Sequence, residues 1–447
     1  MSKLFAVGIS FLLSGCASYG VVDNDELSEV APANSYSTNT QQGRQDTGDI
    51  ILTLAFSGGG TRAAALAYGV MQELRDTTVT IDGRPRRILD EIDTITSVSG
   101  GSFTSAYYGL YGDRIFEDYE KVFLRHNIER SLIGRALNPL QWFNSTGRTE
   151  LAIKYYDKHI FNGATFADIQ RREGPLILIN ASDLGYGVRF SFVQEYFDLL
   201  CSDISTYPVA RAVAASSAVP VLFNPVVLKN YQGCKSEKPE WLLAAQKHAE
   251  NDFHLAQIVH GLESYYQEDT RQYAHFVDGG ITDNLGLRAP YEIVAISGGM
   301  KSYQMKSGLS HPSRLVFISV DASTTRIPEM DSSNRRPSIM ETISAVSNVQ
   351  LHRYNSDTLV LVDKSLTRWA EELSAQGGDV TPYFIQLGVE DIGQPAELEY
   401  LNEIPTSFAL SDEQVDRLID AGRTLLRNNP DYQRFLTGLG GARIKGN

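Results

Sequence analysis

A nearly continuous apolar run, Ile50–Phe56, ends at Ser57-Gly58-Gly59-Gly60-Thr61-Arg62, and alanine-rich helical sequence over 63–74 follows at once. The run suits a strand buried on both faces. A strand that turns through glycines straight into a helix groups several unpaired backbone N–H groups at the positive end of the helix dipole. Such a place binds an anion, or a negative charge that develops only in a transition state. Small side chains at Ala63, Ala64, Ala65, Ala67 and Gly69 let the helix pack closely on its sheet. Strands that feed helices in this way specify an α/β chain.

Nucleotide binding competes for the same residues. Gly58, Gly60 and Ala63 satisfy G-x-G-x-x-A, a dinucleotide pattern that is weak by itself. No Gly-Lys-Ser/Thr follows, which excludes a nucleotide-triphosphate loop. The next strand argues against the dinucleotide. Such a unit ends its second strand on an acidic residue for the ribose, whereas Ile92–Val98 runs into Ser99-Gly100-Gly101-Ser102.

Ser97-Val98-Ser99-Gly100-Gly101 has the layout of a nucleophile elbow, the sharp strand-to-helix turn that exposes a serine hydroxyl. The turn crowds the positions two before and two after the serine, so both must be small. Gly101 meets that need, and Ser97 stands where a first glycine is usual. Ser102 is a rival nucleophile, but it falls where the helix should already have begun. A third constellation, Phe276-Val277-Asp278-Gly279-Gly280, delivers an aspartate from a strand end into a glycine turn. Alone it reads as a turn aspartate bonding its own backbone. The order of a calcium loop is missing.

The ends of the chain speak of export. Lys3 precedes an uncharged apolar stretch over 4–13, followed by Leu13-Ser14-Gly15-Cys16. These last four residues resemble the lipobox of bacterial lipoproteins, which implies cleavage of 1–15 and lipidation of Cys16. Residues 16–48 are rich in Ser, Asn, Asp, Gln and Thr and predict a disordered tether behind the anchor. In an oxidising compartment Cys201 and Cys234 form a candidate disulfide, with two free buried thiols as the alternative. Near the other end, Ser411-Asp412-Glu413-Gln414 predicts a capping box, and Val415, Leu418, Ile419, Leu425 and Leu426 recur at helical spacing up to Pro430.

Composition excludes several classes of function. There are 40 Lys plus Arg against 54 Asp plus Glu, a formal net charge of -14, with no basic block. Nucleic acid is therefore not a partner, because a phosphate backbone needs clustered positive charge. No apolar run reaches the roughly 18 residues of a spanning helix. Three cysteines make no disulfide scaffold, and neither C-x-x-C nor H-E-x-x-H occurs, so no metal site is expected.

A glycine-rich turn, a serine elbow about forty residues later and a distant Asp-Gly-Gly, in that order, resemble the patatin-like phospholipase family. Further matches are Asn180-Ala181-Ser182-Asp183-Leu184, Arg189-Phe190-Ser191-Phe192, Ala215-Ser216-Ser217-Ala218-Val219-Pro220 and Asp283-Asn284-Leu285-Gly286. The resemblance covers 49–295 as a catalytic domain. The remainder, 296–447, is expected as an α/β extension packed on it, with strands at 315–321 and 358–362, and is similar to the tail of bacterial patatin-like lipoproteins.

The resemblance implies a three-layer α/β/α hydrolase with a mostly parallel central sheet and a Ser-Asp dyad without histidine. Ser99 is then the nucleophile and Asp278 the base. Gly58, Gly59 and Gly60 supply the oxyanion hole, Arg62 serves a phosphate or supports the turn, and no cofactor is required. Ala63 replaces the family's usual last glycine. A carboxylate base needs partial desolvation to take a serine proton. A histidine triad is the variant to weigh. Only His311 and His352 follow Asp278, neither in a catalytic turn, and His275 points to the other strand face.

Residues 240–272 form a helical insertion that either caps the acyl site or simply packs. The apolar cluster Leu137, Leu140, Trp142 and Phe143 either meets lipid or joins a core. The expected protein is thus a lipid-anchored hydrolase of phospholipid or lysophospholipid acyl esters, held at the outer membrane of a bacterial cell envelope. The alternatives are a carboxylesterase or thioesterase for small soluble esters, and a non-catalytic envelope scaffold that binds acyl chains.

Overall fold

The computed structural model describes residues 19–27, 35–38, 49–128, 147–325, 331 and 333–444, except positions 82, 221, 236, 268 and 441. The expected signal, Cys16 and the apolar cluster at 137–143 lie outside the described residues.

One sheet organises the fold. Its strands are β1 (Ile50–Phe56), β2 (Ile92–Val98), β3 (Leu176–Asp183), β4 (Arg189–Ser191), β5 (Val226–Lys229), β6 (Tyr273–Val277), β7 (Arg314–Asp321) and β8 (Thr381–Gly388). They lie in the order β8-β7-β1-β2-β3-β6-β5, with β4 beside β3. The run from β8 to β3 is parallel, while β6 is antiparallel to both β3 and β5.

Helices α1 (Gly60–Asp76), α2 (Gly100–Tyr111), α3 (Val209–Ser216), α4 (Glu240–Ala249), α5 (Phe253–Glu263), α6 (Arg288–Ser297), α7 (Met300–Ser307), α8 (Ile339–Ser374) and α9 (Asp412–Asn428) build the flanking layers. Strand alternation divides the core. Leu52, Leu54 and Phe56 of β1 pack with α1 and α9, whereas Ile51 and Ala55 face Val294, Met300 and Trp369 of α6, α7 and α8. The result is a three-layer α/β/α fold with a mostly parallel sheet. Among the described residues no helix is long and apolar enough to cross a membrane.

The segment beyond 295 is woven into this frame, since β7 pairs directly with β1. Helix α9 starts at the reciprocal Ser411–Gln414 capping box and crosses α1 backbone to backbone. A β-carbon on Gly69 would strike the Ile419 carbonyl, and one on Gly422 the Leu66 carbonyl. The strand expected at 358–362 is instead the middle of α8. Thr358, Val362, Leu366, Trp369 and Leu373 form one buried stripe at helical spacing, and that periodicity overrides the β-branched run. The last strand of this central sheet is β8, outside that run.

The expected tether is docked wherever it is described. Tyr36 is fully buried, and its hydroxyl both donates to the Ile177 carbonyl at 3.0 Å and accepts the Ile177 N–H at 2.8 Å, closing an open stretch of β3. This polar segment docks by combining one buried ring, Tyr36 against Phe166 in the core, with hydrogen bonds to strand backbone. Asp25–Glu26 pairs antiparallel with Ser202–Asp203. Nearby, Cys201 and Cys234 are joined by a disulfide, their Cα atoms 5.5 Å apart.

Candidate active site

The carboxyl ends of β1 and β2 bring the glycine turn and the elbow together. Ser99 links β2 to α2 with φ 51° and ψ -121°, a backbone state that costs a non-glycine residue on the order of 1–3 kcal/mol. The surroundings hold it there. Its N–H donates to Ser216 Oγ at 2.9 Å, and that hydroxyl donates to the Asn180 carbonyl at 2.6 Å. Ser97 Oγ pairs with Ser105 Oγ at 2.5 Å beneath the elbow.

Asp278 follows β6 and enters from the antiparallel side of the sheet. Ser99 Oγ donates to Asp278 Oδ2 at 2.8 Å, and the Gly280 N–H donates to Oδ1 at 2.8 Å. Backbone bonds from Asp278 N–H to the Ala218 carbonyl and from Gly279 N–H to the Ser216 carbonyl, each 3.0 Å, seat this turn on the end of α3. Ser216 therefore touches both halves of the pair. Burial pushes the Asp278 carboxyl up to about 6, against the opposing pull of the Gly280 N–H and the Ser99 hydroxyl. A carboxylate lifted towards neutrality is a stronger base for a serine proton.

The three turn glycines are not equivalent. Gly58 N–H donates to the Asn284 carbonyl at 3.0 Å, so that donor is occupied and does not belong to an oxyanion hole. Gly59 and Gly60 donate to no acceptor among the described residues. Gly60 has φ 61°, and a β-carbon there would stand 2.6 Å from the Ser407 carbonyl oxygen. Only glycine fits at this position. The same turn abuts the nucleophile, since a β-carbon on Gly58 would lie 3.4 Å from Ser99 Cβ.

A family model described as patatin-like phospholipase matches residues 54–291, which hold the turn, the elbow and the aspartate. The chain belongs to the patatin-like phospholipase family. This is a family of lipid acyl hydrolases. No curated protein matches the chain. Among solved structures, human GIVD cytosolic phospholipase A2 is similar at 12% identity and a TM-score of 0.45, covering 95% of this chain and 66% of that one. The same human protein in complex with methyl gamma-linolenyl fluorophosphonate is similar at 11% identity and a TM-score of 0.39, covering 91% of this chain and 62% of that one. The chain thus spans a little under two thirds of that protein's length.

Other residues singled out in this patatin-like sequence have structural roles. Arg62 is buried and donates to the Ala322 carbonyl at 2.9 Å, the Ile404 carbonyl at 2.7 Å and Thr406 Oγ1 at 3.0 Å. It ties the glycine turn to the C-terminal segment, and a phosphate is not what its guanidinium meets. Ser102, the rival nucleophile, is buried with its hydroxyl 2.9 Å from Ser216 Oγ. His275 and His352 are exposed, and His311 bonds the Gly377 carbonyl. Among the described residues no histidine bonds Ser99 or Asp278, and no group of His, Cys, Asp or Glu is arranged to hold a metal ion.

The insertion at 240–272 forms α4 and α5, which pack on α6 through buried Leu242, Ala245, Leu255 and Leu262. It makes no hydrogen bond to Ser99 or Asp278 among the described residues. Two site residues carried no role at the level of sequence. Ser216 and Asn284 both lie in the quoted motifs, and both act through bonds to backbone. A small polar residue ending an apolar helix, as Ser216 does, was the available signal.

Proposed function

We propose that this chain is a serine acyl hydrolase that cleaves acyl esters of phospholipids or lysophospholipids through Ser99 and Asp278. We place it in a bacterial cell envelope, anchored at the outer membrane by lipid on Cys16. The observation that supports the dyad most directly is the 2.8 Å hydrogen bond from Ser99 Oγ to Asp278 Oδ2 beside the glycine turn.

The chemistry runs in two halves. Asp278 takes the Ser99 proton as Oγ bonds to the ester carbonyl carbon, and the carbonyl oxygen becomes negative. The Gly59 and Gly60 N–H groups receive that charge, and loss of one such donor typically raises a barrier by about 3–4 kcal/mol. The ester C–O bond then breaks, and Asp278 returns its proton to the departing alcohol. In the second half a water gives its proton to Asp278 and its oxygen to the acyl carbon. Ser99 leaves with the proton restored.

The substrate class is tested by comparing fatty-acid release from phospholipid vesicles with turnover of a soluble short-chain ester. Preference for phospholipid is expected. Preference for the short ester makes the chain a carboxylesterase, and turnover of neither makes it a scaffold. Replacing Cys16 by Ser is expected to move the protein out of the membrane fraction.

A further inference from the structure

The N-terminal segment is built into one edge of the domain. Asn24 clasps β5, its Oδ1 accepting the Lys229 N–H and its Nδ2 donating to the Lys229 carbonyl, each at 2.9 Å. Asp23 pairs with Arg211 of α3 at 2.7 Å. Gly20 lies so close to Val227 that any side chain at 20 would displace it. The segment is therefore a strap whose exit point is fixed.

What the strap lies against is an arm made of β5 and β6. Paired residues of an antiparallel ladder share a face. His275 pairs with Val227 and Tyr273 with Lys229, while the alternate residues Ala274 and Phe276 are buried. Leu184 joins the outer row through its N–H to the His275 carbonyl at 2.9 Å. On and beside this outer face Tyr19, Val21, Val22, Leu184 and Tyr273 are open to solvent, Tyr19 to 86% and Leu184 to 57%. The same arm ends at Val277, one residue before Asp278.

The occupant of this face follows from where the undescribed chain begins. Cys16 stands three positions before Tyr19, so acyl chains on it start within about 10 Å of the patch even from a fully extended backbone. Tyrosine and lysine beside valine and leucine suit the boundary between lipid headgroups and acyl chains. A net charge of -14 gives no general attraction to anionic lipid, so contact has to come from such side chains.

We infer that the face formed by Tyr19, Val21, Val22, Leu184 and Tyr273 rests on the lipid surface, held there by the docked strap. The inference rests on Cys16 being the anchor, and it replaces a free tether by a fixed orientation.

The test uses the full processed chain carrying Ser99→Ala, reconstituted in vesicles of phosphatidylethanolamine and phosphatidylglycerol with brominated acyl chains. Val22→Trp and Tyr273→Trp are compared with Thr381→Trp, at the opposite sheet edge, after subtraction of the parent fluorescence. Bromine is expected to quench the Val22 and Tyr273 probes about twofold, since an interfacial face sits at the acyl boundary, and to leave the Thr381 probe unchanged. Equal quenching at all three sites, in protein that remains with the vesicles, overturns the orientation and leaves the anchor standing. If Cys16→Ser does not release the protein from membranes, the anchor is overturned instead. Quenching of the Val22 probe by added vesicles then supports the face, and its absence overturns it.

Discussion

Ser99 Oγ donates to Asp278 Oδ2 across 2.8 Å, with the other carboxylate oxygen held by the Gly280 N–H and the whole pair buried. The hydrogen bonds favour the ionised carboxylate and burial disfavours it more, which leaves the group near 6. That balance governs how the protein responds to pH.

Turnover should rise with pH through an inflection near 6, because Asp278 accepts a proton only when ionised. The stability effect has the opposite sense. A raised folded pKa means that the native state holds the proton more tightly, so this contribution is fullest below about 3.8 and is lost as pH rises through about 6. Asp278→Asn mimics the protonated group. It should gain roughly 2–3 kcal/mol over the parent at pH 8, and most of that gain should be gone at pH 4, as read by thermal melts at the two pH values.

Ser216 acts on both partners through the Ser99 N–H and the Gly279 N–H. Only its hydroxyl is lost in Ser216→Ala, which frees the elbow and keeps the backbone bond. We expect kcat to fall roughly 10- to 100-fold with KM little changed, since a small misplacement of a nucleophile costs that much. Ser216→Thr, which keeps a hydroxyl, should recover part of the loss. Steady-state kinetics with one soluble ester separates this from a stability effect.

Gly60→Ala has to displace the turn from Ser407 and leave φ 61°. The two free N–H groups then miss the carbonyl oxygen, and kcat should drop on the order of 100-fold or more. Circular dichroism of the variant checks that the fold survives, and an unchanged kcat would remove Gly59 and Gly60 from the oxyanion role.

The crossing of α1 and α9 should tolerate no side chain at Gly422, whose β-carbon would meet the Leu66 carbonyl. Gly422→Ala is expected to destabilise by about 1–3 kcal/mol through overpacking. Gly393→Ala, at an exposed site with nothing within 4 Å, should melt with the parent.

The parts of the site legible in the sequence are those where backbone geometry restricts residue type. A serine forced into φ 51° needs small neighbours, and a turn with positive φ at Gly60 needs glycine, so both leave marks in a few adjacent letters. The strand β1 was legible because burial on both faces writes a nearly unbroken apolar run there, whereas β2, equally buried, carries Asp93, Thr94, Thr96 and Ser97 and was marked by the serine turn at its end. Partners far apart leave no such mark. Nothing near Arg62 announces the Ile404 carbonyl, and nothing near Gly58 announces that Asn284 takes its N–H. Residues 19–27 and 35–38 look like a tether because most of their contacts are hydrogen bonds to strand backbone, and Tyr36, which enters the core, is a lone aromatic residue that forms no hydrophobic periodicity. The 358–362 segment misled for the opposite reason, since a local β-branched run masked a stripe that emerges only over the length of α8.

The most direct test of the dyad is covalent labelling by an alkyl fluorophosphonate, followed by mass spectrometry of the intact chain and of its peptides. One adduct per chain, on Ser99, is predicted, with labelling and ester turnover both lost in Ser99→Ala and in Asp278→Asn. An adduct on another residue, or ester turnover retained in Ser99→Ala, would contradict the account.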